Sequence, residues 1–259
     1  DMLLEHPACD FVVDVNNAGL TDVARTPGGD LFFGAAVTLH ELAGNPLVTG
    51  FADGAISYAA AHCGNRPVRS TATVGGNLCN ALPSADMAPV LLALDATCYI
   101  ADEDSQESLP LDDFFVGPRQ TVLEDRLLVG VALPGTCAGR RCLSRKLTRS
   151  AEDISLVQVA VALELEENRI VQARIALGAV APVPMRAVLA EALLAGQEIA
   201  AVTDDLLLDV ATVAAGESEP RDDHRASAEY RRAMVGTLTR RLIEENLKLN
   251  DYSGMGGVA

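Results

Sequence analysis

The 259-residue chain contains no tryptophan and only 4% aromatic residues. It has little from which to build a stacking platform for single-stranded nucleic acid. Positive charge is equally scarce, with 20 Lys and Arg against 36 Asp and Glu and a formal charge of −16. Neutralising nucleic-acid phosphates, or adhering to an anionic lipid surface, needs clustered Lys and Arg, so neither partner is expected. Long apolar runs are missing too. The longest, such as residues 88–94 and 159–163, fall far short of the roughly 20 residues that span a bilayer. No basic, apolar, small-residue leader opens the chain, so a signal peptide is not expected and a cytoplasmic location is. The first residue is Asp1, and a strand-like segment follows almost at once, which reads as a fragment or a processed product.

Paired cysteines are absent as well. Cys9, Cys63, Cys79, Cys98, Cys137 and Cys142 are scattered and form no C-x-x-C, whereas zinc and iron–sulfur sites need tightly spaced soft ligands. No metal ligand set is therefore expected, and the thiols read as reduced and structural. Neither G-x-x-x-x-G-K-[ST], H-E-x-x-H nor G-x-S-x-G occurs. The stretch 254–259 fits a dinucleotide pattern by letter, but no strand precedes it and no helix can follow it, so it is rejected.

Among the segments that are present, 11–15 and 31–35 read as buried strands separated by the turn Pro27-Gly28-Gly29. Thr38 and Glu41 match a capping box, His40 reads as a surface helix residue, and a helical pattern covers 46–62. Residues 71–86 show little periodicity and lead into a short helix expected to be capped by Ser84. Strands are expected near 96–100 and 126–133, with a loop over 114–119 between them. The pattern changes near Pro134-Gly135-Thr136, where a domain boundary is placed. Beyond it, 154–165 and 169–177 flank the polar turn Glu166-Glu167-Asn168, a hairpin signal. Helical patterns occupy 185–194, 204–215 and 227–247. In the last, Ser227 is the expected N-cap and Tyr230, Met234, Leu238 and Leu242 form an apolar stripe. Strands followed by helices indicate an α+β arrangement. The polar, glycine-rich segment 249–259 reads as a mobile tail.

Gly75-Gly76-Asn77 is the most informative segment. Adjacent glycines permit positive φ and close backbone approach to a ligand, and Thr73 and Asn77 add a hydroxyl and an amide, which suits a phosphate-bearing cofactor. Gly-Gly by itself suits a tight turn holding no ligand better. Asp86, read as lying just inside the next helix, suits the helix dipole or hydrogen bonds from sugar or ribityl hydroxyls. Lys146 and Arg149 stand out in an acidic chain, either as solubilising charges or as charge near a cofactor's polar end.

The segment Ala72-Thr73-Val74-Gly75-Gly76-Asn77-Leu78, continuing through Pro83-Ser84-Ala85-Asp86-Met87-Ala88-Pro89, closely resembles the second flavin-binding motif of the FAD-binding medium subunits of molybdenum hydroxylases. That family includes the flavin components of xanthine, carbon monoxide and nicotinate dehydrogenases. Lys146-Leu147-Thr148-Arg149, the stretch 174–182 and Ser227-Ala228-Glu229-Tyr230-Arg231 resemble the family's carboxy-terminal domain, so the likeness covers about residues 1–248. It implies an α+β fold, with an FAD-binding domain of the vanillyl-alcohol-oxidase (PCMH) type over 1–135. A small α+β domain with a three-stranded antiparallel sheet and helices would follow over 138–248. Thr73, Gly75, Gly76 and Asn77 would face the FAD diphosphate and ribityl region. Asp86 would bind sugar or ribityl hydroxyls, Leu127 and Leu128 would sit beside the adenine or ring edge, and Lys146 near the isoalloxazine. No residue of the chain would be catalytic.

Two departures from the family pattern stand out. The earlier Ala-Gly-Gly-Thr-Asp loop is missing, with Asp1-Met2-Leu3-Leu4 resembling its end, and the Gly-Tyr-Arg-Lys-Thr loop reads Gly117-Pro118-Arg119-Gln120-Thr121. The resemblance implies an oxidoreductase subunit in a hetero-oligomer. It would carry electrons through FAD from two-iron iron–sulfur clusters in a small subunit to NAD or another acceptor. The molybdenum cofactor would lie in a large subunit. A flavin-free scaffold subunit and a free-standing flavin oxidoreductase are the alternatives. With so few cations, the FAD phosphates are expected to be held by backbone N–H groups.

Overall fold

The computed structural model describes residues 13–253. The first half builds a five-stranded, wholly antiparallel sheet in the order β1-β2-β7-β3-β4. Its strands are β1 (Val23–Arg25), β2 (Leu31–Gly34), β3 (Thr97–Ala101), β4 (Gln106–Pro110) and β7 (Leu127–Leu133). The segment taken as a connecting loop folds as a separate small hairpin of β5 (Phe115–Gly117) and β6 (Gln120–Thr121). The second half forms β8 (Arg141–Leu147), β9 (Val157–Glu166) and β10 (Arg169–Gly178), three long antiparallel strands with the two-residue β11 (Met185–Arg186) at one edge. The Glu166-Glu167-Asn168 turn joins β9 to β10, with Glu167 in the left-handed region that a tight hairpin needs.

Nine α-helices are described: α1 (Leu39–Gly44), α2 (Pro46–Thr49), α3 (Ala55–Ala61), α4 (Arg66–Arg69), α5 (Val74–Cys79), α6 (Ala88–Ala93), α7 (Val188–Leu194), α8 (Asp204–Glu217) and α9 (Ala228–Ser253). The Thr38/Glu41 capping box is formed at the start of α1, and His40 is exposed. Ser227 accepts the Tyr230 N–H at 3.2 Å at the start of α9.

Several expectations are corrected. The helix over 46–62 breaks into α2, a 3-10 turn and α3, because Asp53 and Gly54 adopt positive φ. The strand over 11–15 is not formed where it can be seen: Val13, Asp14 and Val15 are exposed and unpaired, and the rest lies outside the described residues. Ser84 caps nothing. Helix α6 starts at Ala88 after Met87, which offers no side-chain cap, so Asp86 precedes the helix by two residues. The apolar stripe of α9 forms over Met234, Leu238 and Leu242, which face the second core, but Tyr230 is exposed, and Val235, Thr239 and Asn246 beside the stripe are buried. Helix α9 extends to Ser253, so the tail expected from 249 is helical over its first residues. Residues 254–259, including the rejected glycine motif, and Asp1–Leu4 lie outside the described residues.

Helix α6 joins the two halves. All six of its residues are buried, and it packs against β8, β9 and β10. Consequently the larger apolar core, which contains Leu91 and Leu94, also takes in Cys142, Ala160, Ala162 and Ala176 from the second sheet. Gly178 makes this docking possible, because a Cβ there would lie 2.8 Å from Pro89 Cγ. The second core, centred on Val159, Ile175 and Val210, lies between the second sheet and α7–α9.

Candidate cofactor site

The Gly-Gly-Asn segment is not a glycine turn but the first turn of α5, with ordinary helical φ at both glycines. Thr73 is its N-cap. Each N–H of that turn is already engaged: Val74 on Val37 O (3.0 Å), Gly75 on Ala35 O (2.8 Å), Gly76 on Thr73 Oγ1 (3.0 Å) and Asn77 on Thr73 O (2.9 Å). These bonds stitch α5 to the segment leaving β2, together with a Thr38–Thr73 bridge. All four backbone donors of this turn thus have acceptors within the protein, which leaves the Thr73 hydroxyl, the Gly76 surface and the Asn77 amide as the groups the turn offers outward.

The two glycines serve different ends. A Cβ on Gly75 would lie 2.7 Å from Ala35 Cβ and 2.8 Å from Ala35 O, so the absent side chain lets α5 seat against the first sheet. Gly76 is exposed, and a Cβ there would meet only Thr73 Oγ1 at 3.1 Å. It offers a bare surface to anything bound.

Asn77 links the two halves of the motif. Its Oδ1 accepts the Met87 N–H at 3.2 Å, which brings Asp86 beside the glycine turn and leaves the Asn77 amide nitrogen as a donor. Asp86 is 8% exposed. Its carboxylate accepts from Ser155 Oγ at 2.8 Å and from Lys146 Nζ at 3.4 Å, and its main-chain carbonyl accepts from Gln158 Nε2 at 2.7 Å. The Cys63 thiol also reaches this carboxylate. Burial first, and then the Asp86 charge, push that thiol up to about 12.

Thr73, Gly75, Gly76, Asn77, Asp86 and Lys146 are thus brought together. The leucine pair divides: Leu128 is buried in the first core, and Leu127 alone presents its side chain outward. Arg149 does not join the cluster but pairs with Asp153 at 2.9 Å. Ser155 and Gln158 were not singled out from the sequence. A signal existed for the second, because Gln158 interrupts the apolar run of β9 and is fully enclosed. The five described cysteines are free, and no group of three or more His, Cys, Asp or Glu able to hold a metal occurs among the described residues.

The residues fit a flavin dinucleotide in kind. A bare glycine surface, a free amide, and a largely buried carboxylate and ammonium suit a ligand with hydroxyls and an anionic end. Comparison with known proteins agrees. Residues 2–136 match the family described as FAD binding domain in molybdopterin dehydrogenase, and residues 144–246 match the CO dehydrogenase flavoprotein C-terminal domain. The chain is 31% identical to the glyceraldehyde dehydrogenase medium chain of Sulfolobus acidocaldarius over 237 residues, covering 91% of this chain and 83% of that one. It is 31% identical to a xanthine dehydrogenase FAD-binding subunit of Escherichia coli over 248 residues, covering 90% and 80%. A solved carbon monoxide dehydrogenase of Hydrogenophaga pseudoflava, in a form lacking the Mo-pyranopterin moiety of its molybdenum cofactor, superposes with a TM-score of 0.82. That match has 28% identity and covers 87% of this chain and 77% of the other.

Fold and site together define an FAD-binding flavoprotein component of an oxidoreductase. More particularly, the chain belongs to the FAD-binding medium subunits of the molybdenum hydroxylase family.

Proposed function

We propose that the chain carries electrons through bound FAD, from iron–sulfur clusters in a small partner subunit to NAD or another acceptor. A large partner subunit would hold the molybdenum cofactor. FAD, when bound, would supply the redox chemistry. The chain's own residues bind and orient it, and none acts as acid, base or nucleophile. Gly76 gives the cofactor close access, while Thr73 and Asn77 offer a hydroxyl and an amide. Asp86 accepts from cofactor hydroxyls, and Lys146 contributes positive charge where the chain otherwise has little. Gly75 acts indirectly by seating α5 on Ala35. Leu127 offers an apolar edge to the ring system, and Leu128 supports it from the core. The division into 1–135 and 138–248 belongs to the same reading.

The observation that carries the proposal is the Asn77–Met87 hydrogen bond, which joins the glycine turn to Asp86 and its Lys146 partner in one cluster. A cavity of about 300 Å3 between the halves, lined by Ser84, Pro118, Ile154, Ser155 and Arg225, adjoins Asp86 through Ser155 and gives an acceptor a route to the cofactor. No helix among the described residues is long and apolar enough to cross a membrane. A cytoplasmic location belongs to the same reading, which free thiols suit.

The test is purification of the native complex and assay of its subunits. Flavin absorbance assigned to this chain, with one larger and one smaller partner, is the expected result. A complex without flavin in this subunit would favour the scaffold reading, and a chain that purifies alone with flavin would favour a free-standing oxidoreductase.

A further inference from the structure

Asp86 belongs to the first half of the chain, yet its polar atoms are held mostly from the second. Lys146 lies on β8 and Gln158 on β9, and the two are direct cross-strand partners. Ser155 lies two residues before β9. Lys146 approaches both carboxylate oxygens at 3.4 Å, too long to fix their orientation. The short bonds are the Ser155 hydroxyl on Oδ1 at 2.8 Å and the Gln158 amide on the main-chain carbonyl at 2.7 Å. Both donors are 2% exposed.

Gln158 is expensive for the second sheet taken alone. It sits in an otherwise apolar strand run, and its Oε1 is buried without a hydrogen-bond partner. An apolar residue of similar length would avoid that cost. The compensation it provides is the bond to Asp86, whose backbone it fixes between Asn77 on one side and the second sheet on the other.

We infer that Ser155 and Gln158 are positioning residues for cofactor binding, setting the carboxylate and backbone of Asp86 from the second half of the molecule. This rests on the FAD reading above. Ser155 fixes the carboxylate torsion so that its remaining lone pairs face the cofactor side, and Gln158 fixes the depth of the loop that carries it. Affinity for FAD is thereby set by residues that do not touch FAD.

The test is a double-mutant cycle on the full-length chain, with the dissociation constant for FAD read from flavin fluorescence and the apo melting temperature read in parallel. Loss of a hydrogen bond to a charged group corresponds to FAD binding about tenfold weaker in Ser155→Ala, with recovery in Ser155→Thr. In an Asp86→Ala background, Ser155→Ala has no further effect. Gln158→Met likewise weakens FAD binding, while its apo melting temperature is unchanged or raised. Wild-type affinity in both Ser155→Ala and Gln158→Met would overturn the assignment, as would an equal loss from Ser155→Ala with and without Asp86. A wild-type chain that binds no FAD would instead overturn the underlying reading, and this assignment with it.

Discussion

The adjacent glycines of α5 give a sharp contrast, because one is required by packing and the other is not. Gly75→Ala places a Cβ within 2.7 Å of Ala35 Cβ and 2.8 Å of Ala35 O. Neither atom belongs to a flexible side-chain end, so α5 must move away from the segment after β2. That movement strains the Val74–Val37 and Gly75–Ala35 hydrogen bonds. Over-packing of this kind costs about 1–3 kcal/mol, or roughly 2–10 °C in melting temperature for a chain of this size. Gly76→Ala meets only the Thr73 hydroxyl at 3.1 Å. A helical Gly→Ala change gains up to about 1 kcal/mol in propensity, and displacement of the capping hydroxyl removes much of it, so apo stability stays within about 1 kcal/mol of wild type. The new methyl does cover the bare surface at the site, so FAD retention falls. Urea unfolding of the apo forms and flavin titration of each variant separate the two effects. A Gly75→Ala variant as stable as wild type, or a Gly76→Ala variant that loses stability but keeps full flavin affinity, would refute the reasoning.

Other consequences are equally open to measurement. Asp95 accepts from Arg140 Nη1 at 2.6 Å and Arg174 Nε at 2.7 Å, and Arg140 also pairs with Glu164. Burial opposes its ionisation, but these hydrogen bonds outweigh it and lower its pKa. Asp95→Ala removes the acceptor the two arginines share, leaving Arg140 with Glu164 and Arg174 with only the longer contact to Glu191, and is expected to cost about 2–3 kcal/mol in chemical denaturation. Asp223 loses some hydration, but the N–H groups of Arg225 and Ala226 and the Arg231 guanidinium hold it down to about 2. Because its pKa is depressed on folding, its stabilisation is present above about pH 4 and lost towards about pH 2, so Asp223→Asn should flatten the acid limb of the stability curve. Burial pushes the Cys63 and Cys79 thiols up to about 12. Iodoacetamide at mildly alkaline pH should therefore label neither in the native protein and both after unfolding, as read by mass spectrometry.

The parts that could be read from the sequence are those where local chemistry decides. Thr38 with Glu41, Ser227 at the start of α9, and the β9–β10 hairpin follow from short-range rules and appear as expected. The grouping of the candidate residues was legible too, since Thr73, Gly76, Asn77, Asp86 and Lys146 lie together. What could not be read was set by distant partners. Periodicity could not reveal that the glycine turn is helical, because its geometry depends on bonds from Val74 and Gly75 to Val37 and Ala35. Nor could it show that the polar Thr239 and Asn246 of α9 are enclosed beside its apolar stripe, which follows from packing on the second sheet. Ser155 and Gln158 stayed hidden because their partner, Asp86, lies some 70 residues away.

The all-buried helix α6 has a consequence for how the molecule comes apart. Its carboxylate-bearing flanks, Asp86 and Asp95, are both gripped by side chains of the second sheet. Between them runs an apolar face that packs on that sheet. Cutting the gene near codon 136, where the first family match ends, would expose this surface and leave both carboxylates without their partners. The resulting fragment would be prone to self-association. Intact, the chain should melt in one cooperative transition, with FAD raising the midpoint of the whole and not of the first half alone.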